Sequence, residues 1–268
     1  MAALLLIGAG RMGGALLRGW IEGRAGAITV VEPSPSPALR ALARKHGIAL
    51  HTSVAAVTGK RFAACVVAMK PQVLKVEAAA LAPIAKAGAL MISIAAGSNI
   101  ALMRKAWGRK ARIVRAMPNT PGAIRKGISA LYAGREISPK DRALAENLLA
   151  ALGETLWVPK ESMIDAVTAV SGSGPAYVFL MVEALADAGE AMGLPREASE
   201  RLARAMVSGS GALLDADPRP PGDLRRDVTS KGGTTEAALK VLMARNGLPK
   251  LMHRAVAAAT KRGKELGK

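Results

Sequence analysis

The sequence predicts an α/β protein in two parts: a doubly wound α/β domain over residues 1–159, then an all-helical domain over residues 160–268. Three observations carry this reading. Short, fully apolar runs alternate with helical patterns through the first half, as in parallel sheets covered on both faces. The turn Gly8-Ala9-Gly10-Arg11-Met12-Gly13 links the first apolar run to the first helical pattern. After Pro159 the texture changes, and no later stretch reads as a strand.

Ala3 to Ile7 reads as the first strand, followed by a helix over about 12–22. Ala27 to Val31 is a second strand and the stretch from Pro37 to His46 is helical. Ala63 to Ala68 is a strand broken by Lys70-Pro71; Ala89 to Ile94 and Arg112 to Met117 continue the series. Two more strands, Ile128 to Tyr132 and Thr155 to Val158, flank a helix over about 142–152. Apolar spacing at three and four residues then marks helices from Met163 to Val170, Pro175 to Met192, Arg196 to Leu214, Glu236 to Asn246 and Lys250 to Glu265, with Asp215 to Gly222 as the main break. Ser171-Gly172-Ser173-Gly174-Pro175 reads as an N-cap with proline in the first turn and equally as a small-residue wall for a ligand. The turns that follow, Ala176 to Val182, are apolar all round. A helix of that kind must be covered on every side, which predicts a homodimer with interlocked helices or, alternatively, a central helix within one subunit.

Half of the 268 residues are hydrophobic but only 3% are aromatic, so the core is built from Ala, Leu, Val, Ile and Met. The formal net charge is +18. The basic residues are scattered, and none interleave with aromatics as in single-strand binders. The charge therefore points to small anionic ligands rather than nucleic acid or an anionic membrane. Cys65 is the single cysteine and lies in an apolar run; a buried thiol in a reducing compartment is expected. No signal-peptide pattern and no uninterrupted apolar stretch of membrane-spanning length are read in the sequence, which makes the expected location cytoplasmic. No His, Cys or Asp cluster has metal-ligand spacing.

Gly8-Ala9-Gly10-Arg11-Met12-Gly13 fits G-x-G-x-x-G between a strand and a helix, the setting in which that pattern signals a dinucleotide. Gly8 permits the tight turn, Gly10 lets a pyrophosphate approach the backbone, and Gly13 allows close helix–strand packing. Glu32 closes the second strand. A carboxylate there normally accepts from a ribose 2′-hydroxyl and favours NAD. Ser34, Arg11 and Arg40 stand by to receive a 2′-phosphate if Glu32 turns away, so NADPH and NADH both remain open. Three further strand ends carry polar or proline-containing turns: Ala68-Met69-Lys70-Pro71-Gln72, Ser93 to Gly97, and Arg115 to Gly122. Ligands of open α/β sheets bind at that edge, which nominates Ala68, Lys70, Pro71, Ala95, Gly97, Asn119 and Thr120 as cofactor contacts beside Arg11 and Met12. Lys70, Asn119 and Thr120 have the groups to bond a carboxamide or ribose.

A second glycine turn, Ser230-Lys231-Gly232-Gly233-Thr234-Thr235, precedes a helical pattern in the second domain. It is not a Walker loop, since no strand precedes it. A helix start with threonine as N-cap explains one residue of it; the free N–H groups gathered there suit an anion.

Six segments in order, G-A-G-R-M-G, A-M-K-P-Q, S-I-A-A-G, M-P-N-T-P, A-V-S-G-S-G-P-A-Y and L-R-R-D-V-T-S-K-G-G-T-T, give the chain a resemblance to the pyrroline-5-carboxylate reductases over nearly its whole length. The resemblance implies a Rossmann-type domain, a helical dimerisation domain, and hydride transfer from NAD(P)H to the C=N bond of 1-pyrroline-5-carboxylate to give L-proline. It further implies that Ser230, Gly233 and Thr234 hold the substrate carboxylate and that Thr235 places its hydroxyl on the ring nitrogen. Lys231 stands where the family usually has proline, Glu236 where an apolar residue is usual, and Gly122 where alanine is commoner. Two rivals are a β-hydroxyacid or imine reductase of the same plan, which would lack the S-K-G-G-T-T turn, and a dinucleotide-bound sensor, which would have no need of Thr235.

Overall fold

In the computed structural model, which describes residues 3–267, the chain divides into two compact units, residues 1–172 with 259–268, and residues 173–258. The first is built on one eight-stranded sheet. Its elements run β1 (Ala3–Ile7), α1 (Arg11–Glu22), β2 (Ala27–Val31), α2 (Pro37–Lys45), β3 (Ala49–His51), β4 (Ala64–Val67), α3 (Pro71–Glu77), α4 (Ala82–Lys86), β5 (Leu90–Ser93), α5 (Ile100–Trp107), β6 (Arg112–Met117), β7 (Gly127–Ala133), α6 (Pro139–Leu149), β8 (Gly153–Trp157) and α7 (Met163–Val167). The spatial order is β3-β2-β1-β4-β5-β6-β7-β8.

Strands β1 to β6 are mutually parallel, and alternate residues on each serve opposite faces. Leu4 and Leu6 enter a core layer with Leu16, Leu17, Trp20 and Leu148. Leu5 and Ile7 enter the other layer with Leu74, Leu81, Met103 and Trp107. This is why the strands carry no polar alternation. Each layer holds one buried tryptophan whose indole N–H finds a carbonyl: Trp20 Nε1 donates to Leu148 O at 2.8 Å and Trp107 Nε1 to Ala78 O at 2.9 Å. Burying a side chain as large as Leu16 or Leu17 contributes about 1.5–3 kcal/mol, and the two layers together make the sheet a rigid platform.

Two features depart from the expected series. β7 runs antiparallel to β6, with Met117 opposite Ala130. The link from Met117 to Gly127 contains only a 3₁₀ turn, Thr120–Ile124, and a parallel return needs a longer crossover. β3, which pairs in parallel with β2, has three residues and no apolar run, so it is invisible to periodicity.

The second unit contains α8 (Gly174–Ala191), α9 (Arg196–Ala216), α10 (Pro221–Asp227), α11 (Thr234–Leu242) and most of α12 (Leu248–Leu266). α8 and α9 pack closely: a methyl group added at Gly189 would lie 2.9 Å from Ser199 Oγ. Among the described residues of this unit only Ala186, Ser199 and Ala203 are buried. Phe179 and Leu180, on the helix expected to be covered all round, are 62% and 63% exposed.

The Ser171–Pro175 segment is not the side-chain cap expected of it. Thr168–Gly172 forms a π-turn, Ser171 Oγ donates back to Val167 O at 3.2 Å, and Ser173 caps α8 without a side-chain bond. That π-turn joins α7 and α8 into one helical run, Met163–Ala191, which by length and composition alone is apolar enough to cross a membrane. The sequence reading broke the run at its glycines and so found no such stretch. Its α8 part lies in the unit where, among the described residues, only Ala186, Ser199 and Ala203 are buried, and an apolar helix in a protein core meets the same criterion as a membrane helix.

Candidate functional site

The parallel strands β1, β2, β4, β5 and β6 end on one edge of the sheet, and the expected cofactor residues follow those ends. The chain turns one way from β1 to β2 and the other way from β4 to β5, so a crevice opens between the turns after β1 and β4. Gly8 has φ +88°, and an added Cβ would lie 2.9 Å from Ala68 O. Gly13 is tighter still: its Cβ would lie 2.1 Å from Gly8 O and 3.1 Å from the Ala68 methyl. These two glycines let the turn, α1 and the A-M-K-P turn close on one another.

Gly10 differs. It is exposed, an added Cβ would meet nothing within 4 Å, and as N-cap of α1 it offers no side-chain bond. The first amides of α1 therefore face open space, a cradle suited to a pyrophosphate. The residues present fit a dinucleotide. Around Gly8 and Gly10 lies a cleft of about 680 Å³ whose lining includes Glu32, Ala68, Lys70, Thr52 and Ser53.

Glu32 does not extend into that cleft as a free carboxylate. Its Oε2 accepts from Ala9 N at 2.8 Å and its Oε1 from Ser34 N at 3.3 Å. The side chain is folded onto the glycine turn. Arg11, Ser34 and Arg40 are exposed, while Met12 packs on the core. Lys70 is the exposed N-cap of α3 and Pro71 its first residue. Ala95 is buried, its N–H on Ser93 Oγ at 3.3 Å, and Gly97 has φ +71°. Asn119 is partly occupied, accepting through Oδ1 from Ile128 N at 2.9 Å; Thr120 is exposed. Gly8, Gly10, Glu32, Ala68 and Lys70 thus share one cleft, whereas Ser34, Ala95, Gly97, Asn119 and Thr120 lie outside its lining. Thr52 and Ser53 were missed because β3 was missed; the polar pair closing the run Ala49 to His51 was the available signal.

In the second unit Gly233, not a threonine, is the N-cap of α11. Gly232 has φ +74° and lets the chain enter the helix, while Gly233 N donates to Ser230 O at 3.0 Å. A Cβ on Gly233 would lie 2.4 Å from Ser230 Oγ, so the serine hydroxyl sits directly over the helix start. No side chain caps Gly233. The amides of Thr234 and Thr235, which at that position have no intrahelical acceptor, lie near the Ser230 hydroxyl. Glu236 bends back to accept from Gly232 N at 2.7 Å.

Cys65 is fully buried, and burial pushes its thiol well above the ordinary range. It remains a neutral core residue, not a nucleophile.

A family model described as pyrroline-5-carboxylate reductase dimerisation matches residues 161–266, and one described as NADP oxidoreductase, coenzyme F420-dependent, matches residues 3–97. A pyrroline-5-carboxylate reductase of Pseudomonas aeruginosa is 46% identical over 201 residues, covering 75% of this chain and 73% of that one. The solved pyrroline-5-carboxylate reductase of Coxiella burnetii superposes with a TM-score of 0.91 at 36% identity, over 100% of this chain and 99% of that chain. The Plasmodium falciparum pyrroline carboxylate reductase, solved with NADP bound, gives 0.82 at 29% identity over 100% and 98%. With the glycine turn, the doubly wound sheet and the S-K-G-G-T-T helix start all in place, the chain belongs to the pyrroline-5-carboxylate reductase family.

Proposed function

We propose that this protein reduces the C=N bond of 1-pyrroline-5-carboxylate to give L-proline, using NADPH or NADH. The observation that carries the proposal is the pair of uncapped helix starts, one at the end of β1 and one at α11. Each is a preformed site for an anion, and the reaction has two anionic reactants, a dinucleotide and a small carboxylate. The cofactor, when bound, supplies the hydride. The imine carbon gains that hydride, the C=N π pair moves to nitrogen, and nitrogen ends with one proton.

The residues of this chain would bind and orient. Gly8, Gly10 and Gly13 shape the dinucleotide turn; Arg11, Met12, Glu32, Ser34, Ala68, Lys70, Pro71, Ala95, Gly97, Asn119 and Thr120 complete the proposed cofactor set. Ser230, Gly233 and Thr234 would hold the substrate carboxylate, and Thr235 would place its hydroxyl on the ring nitrogen. Fixing both reactants accounts for much of the rate through orientation. Thr235 is too weak an acid to be a tuned proton donor; the imine arrives protonated or takes its proton from water through that hydroxyl.

Purified protein mixed with 1-pyrroline-5-carboxylate should consume NADPH or NADH at the reduced-nicotinamide absorbance band. No consumption by folded, cofactor-binding protein would reject the reading. Thr235→Ala should lower kcat by about 100-fold or more, the range for a group aiding proton transfer, with cofactor affinity nearly unchanged; an equal loss of cofactor binding would remove Thr235 from that role.

We further infer a homodimer, or an assembly of dimers, formed through the second unit. Support comes from the near absence of buried residues there and from a groove of about 750 Å³ between α8 and α9, lined by Val178, Phe179, Val182 and Ala186 among others. The proposal includes a cytoplasmic protein with small-molecule partners and without nucleic acid or membrane as a ligand, consistent with scattered basic residues and one buried cysteine.

A further inference from the structure

The turn after β5, Ser93 to Asn99, is held by two segments that lie far away in sequence. The first contains Glu161. Its Oε1 accepts from Ile100 N at 2.7 Å, the first amide of α5, and from Arg115 Nη1 at 3.3 Å. Arg115 is 95% buried on β6 and reaches Asp165 Oδ1 with Nη2 at 3.4 Å. The second is the last turn of α12, where Gly263 lies beside Asp165. Asn99 caps α5 by accepting from Leu102 N at 2.8 Å, and its amide donates to Gly267 O at 3.3 Å. Lys75 Nζ approaches Leu266 O at 3.5 Å. An added Cβ on Gly97 would lie 3.3 Å from that same carbonyl.

Within itself the turn is held by the bond from Ala95 N to Ser93 Oγ, but Gly97 is in the left-handed region and Ser98 is fully buried with a hydroxyl that finds no partner. Its conformation therefore depends in part on contacts from outside. The two supports, residues 161–165 and 263–267, bracket the segment matched by the dimerisation model, yet both belong to the first unit.

We infer that Glu161 is a positioning residue for the cofactor turn at Ala95 and Gly97, acting through the Ile100 amide and Arg115, with the last turn of α12 as a second support. This rests on the proposal that Ala95 and Gly97 touch the cofactor. A charged acceptor on Ile100 N strengthens the helix start, and a buried guanidinium needs its carboxylates in fixed places. Removing Glu161 would free the turn while leaving the glycine turn after β1 intact.

The test compares wild type, Glu161→Ala and Glu161→Gln in the full-length protein. Cofactor dissociation constants are titrated by reduced-nicotinamide fluorescence, steady-state kinetics are measured, and amide exchange is followed over residues 94–100 with and without NADPH. Glu161→Ala should raise the cofactor dissociation constant roughly tenfold, the usual effect of removing a supporting group behind a ligand contact, and speed exchange in the turn. The KM for the imine and kcat at saturating cofactor should stay near wild type. Glu161→Gln, which keeps an acceptor for Ile100 N, should rise only about threefold. If Glu161→Ala does not fold, the glutamine variant decides. A lowered Tm with an unchanged dissociation constant would overturn the inference and leave Glu161 purely structural. Wild-type exchange in the turn that NADPH does not slow would also overturn it, but by removing Ala95 and Gly97 from the cofactor site.

Discussion

The turn after β1 and the turn before α11 both open a helix, and in both a carboxylate accepts from a backbone N–H: Glu32 from Ala9 at 2.8 Å, Glu236 from Gly232 at 2.7 Å. The resemblance ends there. Glu32 is 23 residues from its partner and half-buried, so its contact exists only once β1 and β2 are paired. Glu236, also half-buried, is only four residues from its partner, on the first turn of the same helix, with Lys240 3.9 Å behind it. Gly13 presses against the first turn at van der Waals limits, whereas an added Cβ on Gly232 would meet nothing within 4 Å. The first turn is a tertiary construction and inherits the rigidity of the sheet. The second is a local one, encoded within seven consecutive residues. The proposed cofactor turn and the proposed carboxylate turn are thus built at different levels of structure.

This difference can be broken by substitution. Gly13→Ala should have the largest effect, since its methyl would overlap the Gly8 carbonyl; a destabilisation of about 3 kcal/mol, the upper range for overpacking, should appear in urea unfolding together with loss of cofactor binding. Glu32→Ala comes next. It removes a charged acceptor from a half-buried amide, worth about 1.5–3 kcal/mol, and should weaken the cofactor without changing the KM for the imine. If Glu32→Ala instead improved NADPH binding at no cost in stability, the carboxylate would be a 2′-phosphate repeller and not a brace. Glu236→Ala should be the mildest, about 0.5–1 kcal/mol as for loss of a helix cap, read as a raised KM for the imine with cofactor affinity intact. A raised cofactor dissociation constant in that variant would show that the second turn is not self-contained.

The sequence made one turn more legible than its support. Gly8, Gly10 and Gly13 could be assigned roles from spacing between a strand and a helix, and the packing roles of Gly8 and Gly13 match the close approaches seen. Glu32 lines the cleft, but the fold-back of its carboxylate onto Ala9 N was not legible, because orientation depends on whether that amide lacks another acceptor. The apolar strands were readable since both faces are buried. β3 was not, being three residues long, and the reversal at β7 was not, since strand direction follows from connection length rather than composition. Asn99 before Ile100 was an available helix-start signal that went unused. Arg115 and Glu161, 46 residues apart, carry no local pattern at all; only the folded sheet brings them together.

The scarcity of buried residues in the second unit has a thermodynamic consequence. Three small side chains cannot offset the conformational entropy of ordering residues 173–258, at about 1–2 kcal/mol per residue for the backbone alone. If the proposed dimer forms through this unit, its folding and its association with a second copy become one equilibrium, second order in chain. Its melting temperature should climb with protein concentration. Dilution would then act as a denaturant on the third of the chain that carries Ser230 to Thr235, while the sheet keeps its two core layers within one subunit.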